Sequence, residues 1–190
     1  MASFAESTYI RGIDGGVAAV DDNRLRVNVK TEFDIAVENG LAFSWSGLEG
    51  AQDIGDTLLA LENNSSTHLL CIEKIIISII AVGGGVCPVF TARGVTMAGT
   101  ALVAGVNLNR SSGRTATGMA TCYTEETGNG EAAGSWPGRL YMPQLLTTTP
   151  YTIDVGGKIR LPNDHMIGID SIEEPTGDNV TIIGYFVPIA

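Results

Sequence analysis

The sequence is poor in the residues that do chemistry. Only two histidines, His68 and His165, occur in 190 residues, and no Gly-x-Ser-x-Gly elbow is present. A Ser-His-Asp site would need one of them beside an exposed serine and a buried carboxylate; His68 opens a strand and His165 follows Asp164 at a turn, so both read as structural. The three cysteines, Cys71, Cys87 and Cys122, show no paired metal-ligand spacing and no disulfide framework, which fits synthesis in a reducing cytoplasm. Aromatic residues make up 6% of the chain, thin for a sugar-processing groove. Gly83-Gly84-Gly85 is not followed by Lys-Ser/Thr or by a helix, which rules out a phosphate loop. The acidic loops around Asp21-Asp22, Glu125/Glu126/Glu131 and Glu173/Glu174/Asp178 match no EF-hand pattern and read as solvated turns. No catalytic set, metal site or cofactor is predicted, and the chain reads as no enzyme.

Positive charge is also scarce: 11 Lys+Arg stand against 21 Asp+Glu, for a net charge of -10. Such a field repels phosphate backbones and anionic lipid surfaces, so neither nucleic acid nor membrane is an expected partner. The opening residues, MASFAESTYIRGID, lack a basic segment followed by an apolar one, and no signal peptide is predicted. Charged residues are only 17% of the chain and mean hydropathy is +0.19. That is apolar for a chain with no membrane span, and cover by another copy is the economical explanation.

What the sequence does have is strand texture. Thr67–Val82 is apolar on both parities: Leu69, Cys71, Ile75, Ile77 and Ile79 on one, Leu70, Ile72, Ile76 and Ile80 on the other. The β-branched isoleucines favour a pleated sheet over a helix. Glu73 and Lys74 interrupt the run, which falls short of the roughly 18 residues of a membrane helix. It predicts a long central strand covered on both faces. Thr57–Glu62 leads into it through Asn63-Asn64-Ser65-Ser66, a hairpin reading. Further short strands follow between Gly, Pro and Asn punctuation, and Val180–Val187 closes the chain with a second doubly apolar strand. No amphipathic helix of useful length is read. About ten strands with two doubly buried imply a mainly β, antiparallel two-sheet sandwich, jelly-roll type first and another Greek key second.

The N-terminal region reads differently. Met1–Val20 is small, Gly-rich and unpatterned. From Leu25 onward, Leu25, Val27, Val29, Phe33, Ile35 and Val37 share one parity, with polar or charged residues between most of them, the alternation of half-buried strands. Residues 1–46 are therefore expected to form an extended N-terminal arm and 47–190 the β-sandwich domain, the apolar stripe lying on the protein's own sheet or on a neighbour. Trp136, in the turn-rich stretch Glu125–Gly138, is a candidate interface anchor or sugar-stacking platform.

Several segments together carry a resemblance: NRLRVNV (Asn23–Val29), GLAFS (Gly40–Ser44), DTLLALENN (Asp56–Asn64), HLLCIEKIII (His68–Ile77) and NLNRSS (Asn107–Ser112). Their layout resembles small accessory virion proteins of tailed bacteriophages, the head cement or decoration proteins. The resemblance spans Asn23 to the C-terminus. It implies a non-enzymatic β-sandwich protein of the virion, made in the host cytoplasm. Such a protein forms a homo-oligomer, in that group a trimer, and binds the outer surface of the major capsid protein shell, bridging neighbouring subunits. The partner-binding residues expected from the chain itself are Leu25, Val27, Val29, Phe33, Ile35, Val37 and Trp136. The alternative is a receptor- or carbohydrate-binding virion module of the same sandwich class, working through the Trp136 loop.

Overall fold

The computed structural model describes residues 10–11, 17–21, 24–26, 30–51, 57–79, 85–94, 101–124, 139–141, 143–145, 149–171 and 176–189. The chain forms two compact units, Met1–Thr31 and Glu32–Ala190. In the first, β1 (Ile10–Arg11), β2 (Val17–Asp21) and β3 (Arg24–Arg26) pair in that order as an antiparallel sheet, with Ile10 opposite Ala18 and Val20 opposite Leu25. The stretch read as an unpatterned arm therefore contains paired strands.

The second unit opens with a helix where the sequence suggested a strand. α1 spans Glu32–Glu38. Glu32 and Asp34 occupy its first turn, where carboxylates suit the helix dipole. Asn39-Gly40 ends it: Gly40 has φ 68°, its N–H donates to Val37 O, and Leu41 N–H donates to Ala36 O. That is the Schellman arrangement of a helix C-terminus. Phe33, Ala36 and Val37 then share one face at helical spacing, whereas Ile35 points away and is 42% exposed. The expected apolar stripe of alternate residues does not form over Phe33, Ile35 and Val37, because their common parity is also compatible with a capped helix.

After α1 come β4 (Ala42–Ala51), β5 (Thr57–Asn63), β6 (His68–Ile79), β7 (Gly85–Val86), β8 (Val89–Arg93), β9 (Ala101–Leu102), β10 (Val106–Asn107) and β11 (Ala120–Thr124). β12 (Arg139–Tyr141), β13 (Gln144–Leu145), β14 (Tyr151–Leu161), β15 (His165–Asp170) and β16 (Thr176–Pro188) complete the chain. One sheet has the order β10-β4-β16-β6-β14, the other β12-β8-β15-β5-β11-β9, and β13 pairs with β7. Taking β4, β5, β6, β8, β12, β14, β15 and β16 as first to eighth, the first sheet places them 1-8-3-6 and the second 2-7-4-5. That is the double Greek key of a jelly roll. β4 runs through the expected boundary at residue 46, so Ala42–Ser46 belongs to the sheet.

The core lies between the sheets. Trp45, Ile182, Ile75 and Ile153 form one row across four strands, facing Leu59, Leu61, Ile167 and Ile169 of the other sheet. Between the register pairs Ile183↔Lys74 and Gly184↔Ile72, β6 has one extra residue, Glu73. This bulge moves the inward parity from Leu70 and Ile72 to Ile75 and Ile77. The doubly apolar pattern of the central strand thus has two causes: the bulge, and α1 covering Cys71 and Tyr185 on the outer face. β5 and β6 are not a hairpin, since their turn carries the chain from one sheet to the other.

Candidate functional site: an apolar and basic edge of the sandwich

Of the residues expected to bind a partner, Phe33 and Val37 pack on the protein's own sheet beside Tyr185, the Phe33 and Tyr185 rings meeting edge-on at 5.6 Å. Leu25 lies in β3, within the other unit. Val27, Val29 and Trp136 lie outside the described residues. Ile35, on the same helix, points away from that sheet and is exposed. Tyr185, beneath α1, has its phenol pushed up to about 12, chiefly by burial and then by Cys71 and Glu32.

The histidines serve turns. Ser65 Oγ accepts the backbone N–H of Thr67 and of His68, and His68 Nδ1 lies 2.9 Å from Thr67 Oγ1. His165 Nδ1 lies 3.0 Å from Asn163 O and donates to it. Among the described residues no group of three or more His, Cys, Asp or Glu side chains is placed to hold a metal ion. No described helix is long and apolar enough to cross a membrane.

A different surface stands out, in a segment inserted between the fourth and fifth strands of the jelly-roll frame. β9 is the outer strand of the six-stranded sheet and β10 the outer strand of the five-stranded one, so Ala101–Leu108 runs along a single edge of the sandwich from one sheet to the other. Three inward residues pin it. Val103 packs on the core and donates its N–H to Cys122 O at 3.0 Å. Gly105 lies against Trp45, where a Cβ would come within 2.6 Å of Nε1. Asn107 donates from Nδ2 to Gly40 O and to Arg114 O. Their neighbours point outward: Leu102 is 70% exposed, Val106 50% and Leu108 38%, with Ala104 exposed between them. The result is an apolar seam at period two on an open sheet edge, the kind of surface that soluble proteins keep small unless it is used.

The loop beyond the seam is braced by its own asparagines. Asn109 N–H donates to Asn107 Oδ1. Asn109 Oδ1 accepts from Ser111 N and Oγ, and Asn109 Nδ2 donates to Glu38 O. Gly40 completes the junction, since a Cβ there would run into Ser112. This frame holds Arg110 and Arg114 beside the seam, both exposed. Between Glu73 and Glu125 the sequence contains Lys74, Arg93, Arg110 and Arg114 and no acidic residue, leaving all 21 carboxylates to the remainder. An apolar strip flanked by arginines is a composition favoured at protein interfaces. The usable signal was the alternation of Leu102, Ala104, Val106 and Leu108 with Val103, Gly105 and Asn107.

Asn107→Ala is expected to lower stability by about 1–3 kcal/mol, because Gly40 O and Arg114 O lose their donor. Hydrogen exchange should rise in 107–114 and not in β6, which checks that the effect is local.

The fold is a jelly-roll β-sandwich that carries an exposed apolar and basic edge at Ala101–Arg114. No family model matches the chain, and no curated protein matches it. Among solved structures it is similar to one described as "nora virus structure", with 12% sequence identity and a TM-score of 0.28, covering 96% of this chain and 72% of that one. That likeness is too distant to bear on function.

Proposed function

We propose that the protein is a structural component of a virion, non-enzymatic and working by protein contact. In the finer form of this reading it is a homo-oligomer, a trimer, that binds the outer surface of a tailed-phage capsid and bridges neighbouring major capsid subunits. The observation that carries the proposal is the edge at Ala101–Arg114: an apolar seam and two arginines set on a braced loop, added to a jelly-roll frame. Jelly rolls serve capsids, lectins and cupins alike, so it is the surface and not the frame that supports the reading. The resemblance of NRLRVNV, DTLLALENN, HLLCIEKIII and NLNRSS to the cement and decoration group supports the same reading.

Capsids assembled without this protein supply the test. Added protein should co-sediment with them and raise the temperature at which they release DNA. Protein that stays at the top of the gradient at micromolar concentration would refute the proposed role.

A further inference from the structure

The five-stranded sheet exposes apolar side chains at both of its edges. On the β10 side these are Val106 with Leu102 and Leu108 of the same seam; on the β14 side Tyr151 is 46% exposed. The charges beside the two edges differ in sign. Arg110 and Arg114 flank the seam. At the β14 edge the Glu73 carboxyl is pushed up chiefly by burial and then by the carboxylate of Asp154, with Lys74 acting in the opposite sense and Asp34 adding to the rise. Arg160 of β14 is already engaged, its Nη2 lying 2.8 Å from Glu32 Oε2; Lys158 lies exposed in the irregular part of the strand.

We infer that the Leu102–Arg114 edge of one copy docks against the β14 edge of a second copy, the apolar seam on Tyr151 and the two arginines on Asp154 and Glu73. This rests on the homo-oligomeric part of the proposed function and names its interface. The second copy fits because one molecule carries both halves, apolar on each and opposite in charge, on opposite edges of one sheet. Such a contact is head-to-tail, so repetition around an axis closes a ring. It is a contact of side chains. Between the register pairs Asp154↔Lys74 and Ile159↔Ile72, β14 holds Val155–Lys158 against Glu73 alone, and a strand interrupted in this way does not accept a continuous ladder.

Site-specific cross-linking tests it on the full chain. The native cysteines Cys71, Cys87 and Cys122 are buried, so a short bismaleimide reads only introduced thiols. Val106→Cys and Tyr151→Cys, each at a half-exposed position, should give no linked product separately and a two-chain product when mixed. A linked product from Val106→Cys alone, or none from the mixture, overturns the inference. Arg110→Glu with Arg114→Glu should convert the oligomer to a 19.9 kDa monomer in sedimentation equilibrium, with an unchanged thermal melt, and adding Asp154→Arg should restore association. An oligomer that survives the arginine reversal, or a monomeric wild type, overturns it as well. Capsid co-sedimentation separates the two claims: monomers that still bind capsids refute only this interface, and oligomers that bind none refute only the capsid role.

Discussion

Removing Met1–Thr31 should leave a jelly roll that melts near the full-length temperature, and removing Met1–Asn39 should not. Every described core residue belongs to the unit that begins at Glu32, so the shorter deletion takes away none of them. The longer one removes α1, and with it the cover over Ala42, Cys71 and Tyr185 and the Glu32–Arg160 pair. That pair is exposed and adds little; the apolar cover matters. Burying a large apolar side chain stabilises by about 1.5–3 kcal/mol when complete. Half-buried Phe33 and Val37 with buried Ala36 therefore represent roughly 3 kcal/mol. For a domain of this size that corresponds to a fall of about 6–12 °C in melting temperature. Calorimetry on both truncations decides the matter. Equal melting temperatures would mean that α1 is an ornament on the sheet.

Asn63→Leu is expected to be the most damaging single polar-to-apolar change. Asn63 is fully buried at the end of β5, where the chain leaves one sheet for the other. Its Nδ2 donates to His68 O at 2.9 Å and to Leu161 O at 2.8 Å, and its Oδ1 accepts from Ser65 N. One amide thus ties the start of β6 and the end of β14 to a strand of the opposite sheet. Leucine has nearly the same size and leaves three backbone groups without that partner, those of Leu161 and Ser65 buried and that of His68 part-buried, at about 1–3 kcal/mol for each buried one. A loss of at least about 3 kcal/mol is expected, read in urea as a lower midpoint at constant m. A loss below about 1 kcal/mol would show that the amide is not the clasp.

The same residue shows how much of the fold was legible. Asn63-Asn64-Ser65-Ser66 was readable as a turn, and β5 and β6 as strands on either side of it. A hairpin and a crossover between sheets use the same turn residues, so the pairing was not readable. In β6 the alternation was visible on both parities, but a single-residue bulge at Glu73 and a helix on the outer face produce that texture together. Phe33, Ile35 and Val37 satisfy period two, while Phe33, Ala36 and Val37 satisfy the helix. Only the Schellman hydrogen bonds at Gly40 distinguish the cases. The part of the expected stripe at Phe33, Ile35 and Val37 was therefore argued from a conformation that α1 does not adopt. At Ala101–Leu108 the outward apolar residues were present in the sequence. Their exposure depends on Trp45 fixing Gly105 and on Asn107 reaching Gly40, contacts across sixty or more positions of chain that no local pattern reports.

The three thiols have a consequence for where such a protein can live. Cys71, Cys87 and Cys122 are buried and unbridged, and burial holds the Cys122 thiol far above its ordinary range and raises that of Cys71 as well. A thiol kept from ionising is a poor nucleophile and a poor target for oxidants. The fold has no bridge to gain on leaving a reducing compartment and none to lose on entering one. Its folded state makes and breaks no disulfide, so the same architecture holds in reducing and in oxidising surroundings.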